Sequence, residues 1–279
     1  MLVLGFDTST PAVSVALHDG ERVISAASAV DARRHSELLA PMIAKVMADA
    51  GVARGDLSAI AVGVGPGPYT GLRVGVVTAR VLGSVLGLPA RGVCSLDVIA
   101  VAAWGGWSPQ VAPAGPGREF LVATDARRKE VYWARYDAAG RRVAGPAVGQ
   151  ASSIPGAADL AVAGAGGQLY PEAFGEVIGP AHPDAGVLCG IVARALTPPS
   201  PDQPPSPDQP PSPGQPPSPG QPPSPDQPPS PDQPPSPDQP PSPGQPPSPD
   251  QPSLLAAEPL YLRRPDAREP GPPKRVTAP

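Results

Sequence analysis

From Pro198 to Gln251 the chain is nine copies of one hexapeptide, Pro-Pro-Ser-Pro followed by Asp or Gly and then Gln. Proline is its only apolar residue, so this stretch cannot bury a core. It is expected to be a disordered insert rich in polyproline II, rising about 3 Å per residue. The fold must come from the residues before it and the short piece after it. The repeat also carries six aspartates and no basic residue. Outside it, 19 acidic residues face 21 basic ones, so the formal charge of −4 for the whole chain becomes +2. Neither value predicts a protein that coats nucleic acid.

Cys94 and Cys189 lie far apart in apolar surroundings, which suits a reducing compartment better than a disulfide framework. The opening MLVLGFD has no basic region ahead of a long apolar core, and no segment reads as a membrane span. The expected location is the cytoplasm.

The stretch Gly63–Gly87, GVGPGPYTGLRVGVVTARVLGSVLG, reads as strand, glycine-proline loop and helix. Free N–H groups at such a helix start can cradle an anion, with Thr70 as the expected N-cap. The same loop also reads as a tight turn with no ligand. In the helix, Arg73, Arg80 and Ser84 form a narrow polar strip, while Leu72, Val74, Val76, Val77, Val81, Leu82, Val85 and Leu86 cover most of the rest. Such a helix needs cover on more than one side. Gly71, Gly75, Ala79, Gly83 and Gly87 recur every fourth residue as a ridge that another backbone can approach closely. Interior glycine costs roughly 1 kcal/mol against alanine, so packing must offset it. The cover is the chain's own sheet on one side and, on the other, either more of this chain or a partner's helix.

In chain order, strands are expected at 2–6, 12–17 and 22–29, the last two joined by an Asp19-Gly20 turn. A helix from Ser36 carries Leu38, Leu39, Met42, Ile43, Val46 and Met47 on one stripe, with Pro41 early in it and Gly51 closing it. Strands at 57–64 and 89–93 flank the Gly63–Gly87 helix. After a Gly/Pro-rich connection over 104–117, strands at 120–124, 131–136 and 142–148 repeat the pattern. A weak helical stretch near 154–158, a strand at 160–163, a glycine cluster and a helix over 186–196 follow. Two halves of similar order suggest a duplicated α/β fold with a cleft between them.

The start LGFDTSTPAVSVAL, with Asp7 ending the first strand, resembles the first phosphate loop of the actin-like ATPase and sugar-kinase superfamily. GVGPGPYTGLRVGVVTARVL, DARRKEVYWARYD (Asp125–Asp137) and EPLYLRRPDA (Glu258–Ala267) narrow the resemblance to the TsaB (YeaZ) family of tRNA threonylcarbamoyladenosine biosynthesis. The resemblance covers 1–196 and 255 to about 267. It implies a duplicated actin-like ATPase (ribonuclease H-like) fold of two βββαβα halves, interrupted by the disordered Pro-rich insert. The implied domains are an N-terminal, partner-binding half (1–103), a C-terminal half (104–197), the repeat insert (198–253) and a C-terminal segment and tail (254–279).

By the same resemblance the chain is the non-catalytic partner that supports TsaD, which forms threonylcarbamoyladenosine next to the anticodon of tRNAs reading codons that begin with A. TsaE is a further partner, a homodimer forms without TsaD, and tRNA is met indirectly through the complex. No cofactor is required by this chain, and ATP and a metal ion enter through its partners. The catalytic relatives carry two metal-binding histidines four apart, where this chain has Ser95 and Ile99. An aliphatic side chain cannot ligate a metal, and His18, His35 and His182 have no ligand spacing. No metal and no protease activity are expected.

The residues themselves leave alternatives. Asp7, Thr8, Ser9, Thr10 and Asp125 are candidate vestigial phosphate loops, but Asp7 also reads as a structural Asp-turn and Asp125, with Arg127 and Arg128, as a charged β-turn. Gly164, Gly166 and Gly167 resemble the glycine cluster facing adenosine in active relatives, a weak motif alone. His35 reads as a capping or surface residue. Leu39, Ile43, Arg73, Val77 and Arg80 are the expected partner interface. The competing functions are a small-molecule phosphotransferase using ATP and a scaffold acting through its proline repeat.

Overall fold

The computed structural model describes residues 1–105, 117–197 and 253–262. The hexapeptide repeat, most of the 104–117 connection and the tail from 263 onward lie outside the described residues.

Three strands open the chain: β1 (Val3–Asp7), β2 (Ala12–His18) and β3 (Val23–Val30). The β2–β3 turn follows from Asp19, whose Oδ1 accepts the N–H groups of Glu21 and Arg22 at 2.8 Å each. Helix α1 (His35–Asp49), β4 (Ala59–Gly63), helix α2 (Tyr69–Leu86), β5 (Ala90–Val93) and helix α3 (Ser95–Ala103) follow. Helix α3 is the one main element of this half that the sequence reading lacks. It is nine residues long and apolar on nearly every side, so no helical stripe stands out. Helix α2 ends on Gly87 at φ +67°, the left-handed C-cap that glycine adopts without a Cβ clash. Its N-cap is Pro68 with no side-chain cap, and Thr70 lies exposed in the first turn, contrary to the expected Thr70 cap.

The second half has β6 (Phe120–Asp125), β7 (Val131–Tyr136), β8 (Arg142–Gly149), β9 (Ala161–Ala163), a short helix α4 (Ala165–Leu169), β10 (Glu176–Val177) and helix α5 (Ala185–Leu196). Between β8 and β9 stand two 3-10 turns, Ala151–Ser153 and Ala157–Asp159, in place of the weak helix expected near 154–158. Gly156, at φ +69° beside Pro155, breaks the run. Finally β11 (Leu255–Ala256) returns beyond the repeat.

These strands form a six-stranded sheet in the order β11-β5-β4-β1-β2-β3 and a five-stranded sheet in the order β10-β9-β6-β7-β8. In each, an antiparallel meander of three strands is extended by parallel strands reached through crossovers. This is the duplicated actin-like α/β architecture. Strands β1, β2 and β4 are buried throughout, because helices cover both faces of the first sheet. On one face Leu4, Phe6, Val15, Ile60 and Val62 pack with Leu39, Val46, Leu72 and Val76 of α1 and α2. On the other, Val3, Ala16, Ala59 and Ala61 meet Leu188, Cys189 and Val192 of α5.

The sequence order counts α5 with the second half, yet it packs on the first sheet. A side chain at Gly5 would collide with Cys189 Sγ, so Gly5 admits the helix. Asp184 caps α5 by accepting from the N–H groups of Gly186 (2.7 Å) and Val187 (3.0 Å). Helix α3 contributes to both cores: Val98 joins the α5 cluster, while Leu96, Ile99 and Ala100 pack against Phe120, Val122 and Tyr136 of the second sheet.

Candidate functional site

Asp7 ends β1 almost fully buried, and its carboxylate is saturated from within. Oδ1 accepts from the Ser9 N–H and from Ser9 Oγ, both at 2.7 Å. Oδ2 accepts from Ser95 Oγ at 2.6 Å. Ser95 Oγ in turn accepts the Gly65 N–H at 3.1 Å, and Ser95 N–H donates to Gly65 O at 2.8 Å. Three segments far apart in sequence therefore close on one carboxylate. Burial pushes Asp7 above the ordinary carboxylate range, against the hydrogen bonds from Ser95 and Ser9 and the nearby His182 ring.

The loop after Asp7 faces inward as well. Thr8 Oγ1 donates to Gly71 O (2.8 Å) and accepts the Gly75 N–H (3.1 Å), pinning the loop to α2. The glycine ridge of α2 explains this fit. A Cβ at Gly71 would lie 2.8 Å from Thr8 O, one at Gly75 2.5 Å from Thr8 Oγ1, and one at Gly67 would collide with Ser9 O. The ridge therefore receives the chain's own first loop. Thr10 Oγ1 accepts from Ala12 N–H at 3.3 Å. His35 Nε2 lies 2.7 Å from Thr10 O and the residue is buried, so it ties α1 to the loop rather than sitting at the surface.

Asp125 holds the matching place at the end of β6. Its Oδ1 accepts the Arg127 N–H at 2.7 Å, and Oδ2 lies 3.3 Å from Arg127 Nη1. Gly164 and Gly166 pack on the Ala123 backbone, where any side chain would collide. Their segment is tied to the loop before α5 by Gly164 N–H to Pro180 O (3.0 Å) and Ala165 N–H to Ala181 O (2.9 Å). The next residue, His182, has a buried Nδ1 without a hydrogen-bond partner, as does Thr124 Oγ1 at the end of β6. Burial lowers the His182 pKa, with the Asp7 charge working the other way.

The positions where catalytic relatives place metal-binding histidines do not fit a metal in this chain. Ser95 is engaged with Asp7, and Ile99 is fully buried among apolar side chains. Two residues on from Ser95, Asp97 accepts from Tyr136 Oη at 2.7 Å and has Arg142 Nη1 at 3.6 Å. The first turn of α3 thereby links Asp7 to the second sheet. Burial pushes the neighbouring Cys94 thiol up to about 12, and Cys189 is likewise raised, so both are protonated. Among the described residues there is no group of three His, Cys, Asp or Glu that could hold a metal ion, and no helix is long and apolar enough to cross a membrane.

The outer face of α2 differs in character. Tyr69 (41 % exposed), Val77 (52 %), Val81 (54 %) and Val85 (77 %) form a stripe with Arg73, Arg80 and Ser84 beside them. At its start Tyr69 stacks on Tyr261, ring centroids 5.0 Å apart, and the Arg73 guanidinium lies 4.9 Å above the Tyr69 ring. Leu260 N–H to Val64 O (2.8 Å) seats this returning segment. An open groove of about 370 Å³ follows between α2 and the return, lined by Arg80, Ser84, Leu88, Ala257 and Glu258 among others. Of the five expected interface residues, Arg73, Val77 and Arg80 lie on this face and Ile43 is half-buried. Leu39 is not available to a partner: at 2 % exposure it belongs to the core under α1. Its place on the same stripe as Ile43 cannot distinguish inward from outward apolar positions.

The architecture and the two strand-end aspartates define an actin-like ATPase fold whose first loop is filled by the protein's own hydroxyls. Residues 27–167, just over half the chain, match the family described as TsaD: tRNA N6-adenosine threonylcarbamoyltransferase. The chain belongs to this family, in its TsaB (YeaZ) branch. It is 46 % identical over 170 residues to an uncharacterised protein of Mycobacterium tuberculosis, covering 58 % of this chain and 72 % of that one. It is 36 % identical over 137 residues to the tRNA threonylcarbamoyladenosine biosynthesis protein TsaB of Escherichia coli, covering 49 % of this chain and 55 % of that one. The solved structure of YeaZ from Pseudomonas aeruginosa superposes with a TM-score of 0.58 at 29 % identity, covering 70 % of this chain and 93 % of that one.

Proposed function

We propose that this chain acts in tRNA threonylcarbamoyladenosine biosynthesis as the non-catalytic subunit that binds and supports TsaD. The observation that carries this reading is the α2 face, where four apolar or aromatic side chains stand exposed on one stripe beside two arginines. An exposed apolar stripe of this kind marks a protein contact, and a tyrosine with an arginine is the usual composition of its energetic centre. The partner is taken from the family: TsaD is the transferase whose description the chain matches, and TsaB is the name of the relatives it resembles. TsaE joins the assembly, and a homodimer through the same face forms when TsaD is absent.

The first loop supports the reading of a chain that is inactive alone. The Asp7 carboxylate accepts from Ser9 and Ser95, and the Thr8 and Ser9 hydroxyls donate to the protein's own groups, which supports a first loop given over to the fold rather than to a triphosphate. The chain accordingly requires no nucleotide or metal of its own, and ATP and a metal ion act through its partners. The test is threonylcarbamoyl transfer to tRNA by TsaD and TsaE of the same organism, with and without this chain. Product that forms only in its presence, while the chain alone turns over no ATP, is the expected result. Equal product without it sinks the proposal and favours the phosphotransferase reading.

A further inference from the structure

Among the described residues the two sheets end on four outer strands, and three of these are blunted. β10 and β11 are two residues long, while β8 holds Pro146, which has no N–H to offer, and pairs with β7 in a broken register. The fourth, β3, is different. It runs eight residues, Val-Ile-Ser-Ala-Ala-Ser-Ala-Val, without a charge, a proline or a glycine. Only its Val23 end is irregular, where the pairing with β2 shifts at His18. A long, neutral, open edge is a template for another strand, and a protein that leaves it bare risks aggregation.

Ala26 and Ser28 lie opposite Ala16 and Ser14 of β2, on the face that α5 covers farther in, and both are exposed, as is Val30. Ala27, on the other face, packs with the α1 and α2 cluster. The centre of the strand is therefore small, so another backbone can come close. The larger side chains stand at its ends, Ile24 at 40 % exposure and Val30 at 69 %. The flanks carry opposite charge. Asp19, Glu21 and Arg22 precede the strand, two acids against one base, whereas Asp31, Arg33 and Arg34 follow it, one acid against two bases.

We propose that β3 pairs antiparallel with β3 of a second copy about a two-fold axis, joining two six-stranded sheets into one. Antiparallel pairing sets the acidic flank of each copy beside the basic flank of the other, whereas parallel pairing would bring like flanks together. A register centred on Ala27 lays Ala26 against the partner's Ser28 and Ile24 against the partner's Val30. The exposed apolar ends then cover each other twice, once at each end of the pair. Because β11, at the opposite side of each sheet, is too short to pair on, association stops at two copies. A strand pair is small beside the ~1,200 Å² of a stable interface, so the dimer is weak and concentration-dependent. It uses none of the α2 face and is distinct from the homodimer proposed there.

The test uses the full-length protein in two variants, Ala26→Cys and Ser28→Cys, both at exposed positions. Directly opposite residues of an antiparallel pair have Cα atoms about 4.5–5.5 Å apart, within reach of a disulfide. After mild oxidation an equal mixture of the two is expected to give a disulfide-linked dimer on a non-reducing gel. Either variant alone, like the natural chain, is expected to give none, because Cys94 and Cys189 are buried and protonated. Adding Val30→Lys to both variants puts a cation on the edge and is expected to cut the yield about tenfold with the melting temperature unchanged. The proposal is overturned if the mixture gives no linked dimer, if either variant alone links as readily, or if Val30→Lys leaves the yield as it was. An edge that takes only a strand of another protein gives the first of these results. TsaD is absent throughout, so failure here leaves the proposed function untouched, and failure of that function leaves this pairing standing.

Discussion

Asp7 keeps a carboxylate in a place where an uncharged side chain would serve the fold better. Its pKa is raised by burial, so the folded protein holds its proton to higher pH than the unfolded chain does. Stability from this group is therefore fullest in acid and declines as pH rises from the ordinary carboxylate range through the raised value. Asp7→Asn, which keeps an acceptor for the Ser9 N–H, is expected to raise the melting temperature at pH 7 by a few degrees. The gain should shrink as pH falls, because protonated Asp7 is already neutral; paired melts across pH check this, and a gain independent of pH would refute it. The strand-end position of Asp7 was legible in the sequence, since an apolar run ending in Asp-Thr-Ser-Thr sets it there. From sequence alone Ser95, 88 residues away, is only a vacant ligand position and His182 only a histidine without ligand spacing. Their meaning depends on which loops meet, which local sequence does not encode.

Helix α2 presents two faces with opposite tolerances. Its inner ridge is closed against the Thr8 loop, so Gly75→Ala should cost roughly 1–3 kcal/mol, read by denaturant unfolding, as overpacking does elsewhere. Its outer face should tolerate change in the isolated chain: Val77→Glu is expected to alter stability by less than about 0.5 kcal/mol. The same change should weaken TsaD binding at least tenfold by calorimetry, and unchanged binding would remove α2 from the interface. The repeat of small residues every four positions was visible in the sequence and predicted close approach correctly. What approaches the inner ridge proved to be the chain's own loop, and the exposed valines lie on the other side. Leu39 shows the converse difficulty, because inner and outer apolar positions of one stripe look alike until the neighbouring sheet is in place.

At the scale of the molecule, the chain leaves the first sheet at the end of α5 and re-enters it at β11, which pairs antiparallel with β5 through Leu255–Gly92 and Ala256–Arg91. The described segments on either side of the hexapeptide stretch thus belong to one sheet, α5 by packing on it and β11 by pairing in it. Loop-closure free energy changes by only about 0.6 kcal/mol per doubling of length, so excising residues 198–252 with a short flexible linker should raise stability by no more than about 2 kcal/mol, a few degrees in melting temperature, and leave TsaD binding intact. A loss of TsaD binding would favour the scaffold reading of the proline repeat, and a large loss of stability would give the repeat a structural role that its composition does not suggest. The repeat could be set aside from sequence alone, because a stretch with no apolar side chain but proline cannot contribute a core. The return to the first sheet could not, since two strand residues carry no periodicity.

That two-residue strand also acts as a guard. β5 would otherwise be the sheet's outermost strand, with Arg91 and Gly92 offering an unpaired ladder to any neighbouring chain. The segment that follows the low-complexity stretch protects the protein from pairing with copies of itself. Proteolysis within the repeat would therefore cause harm by releasing this cover and leaving an adhesive margin, rather than by removing a binding motif.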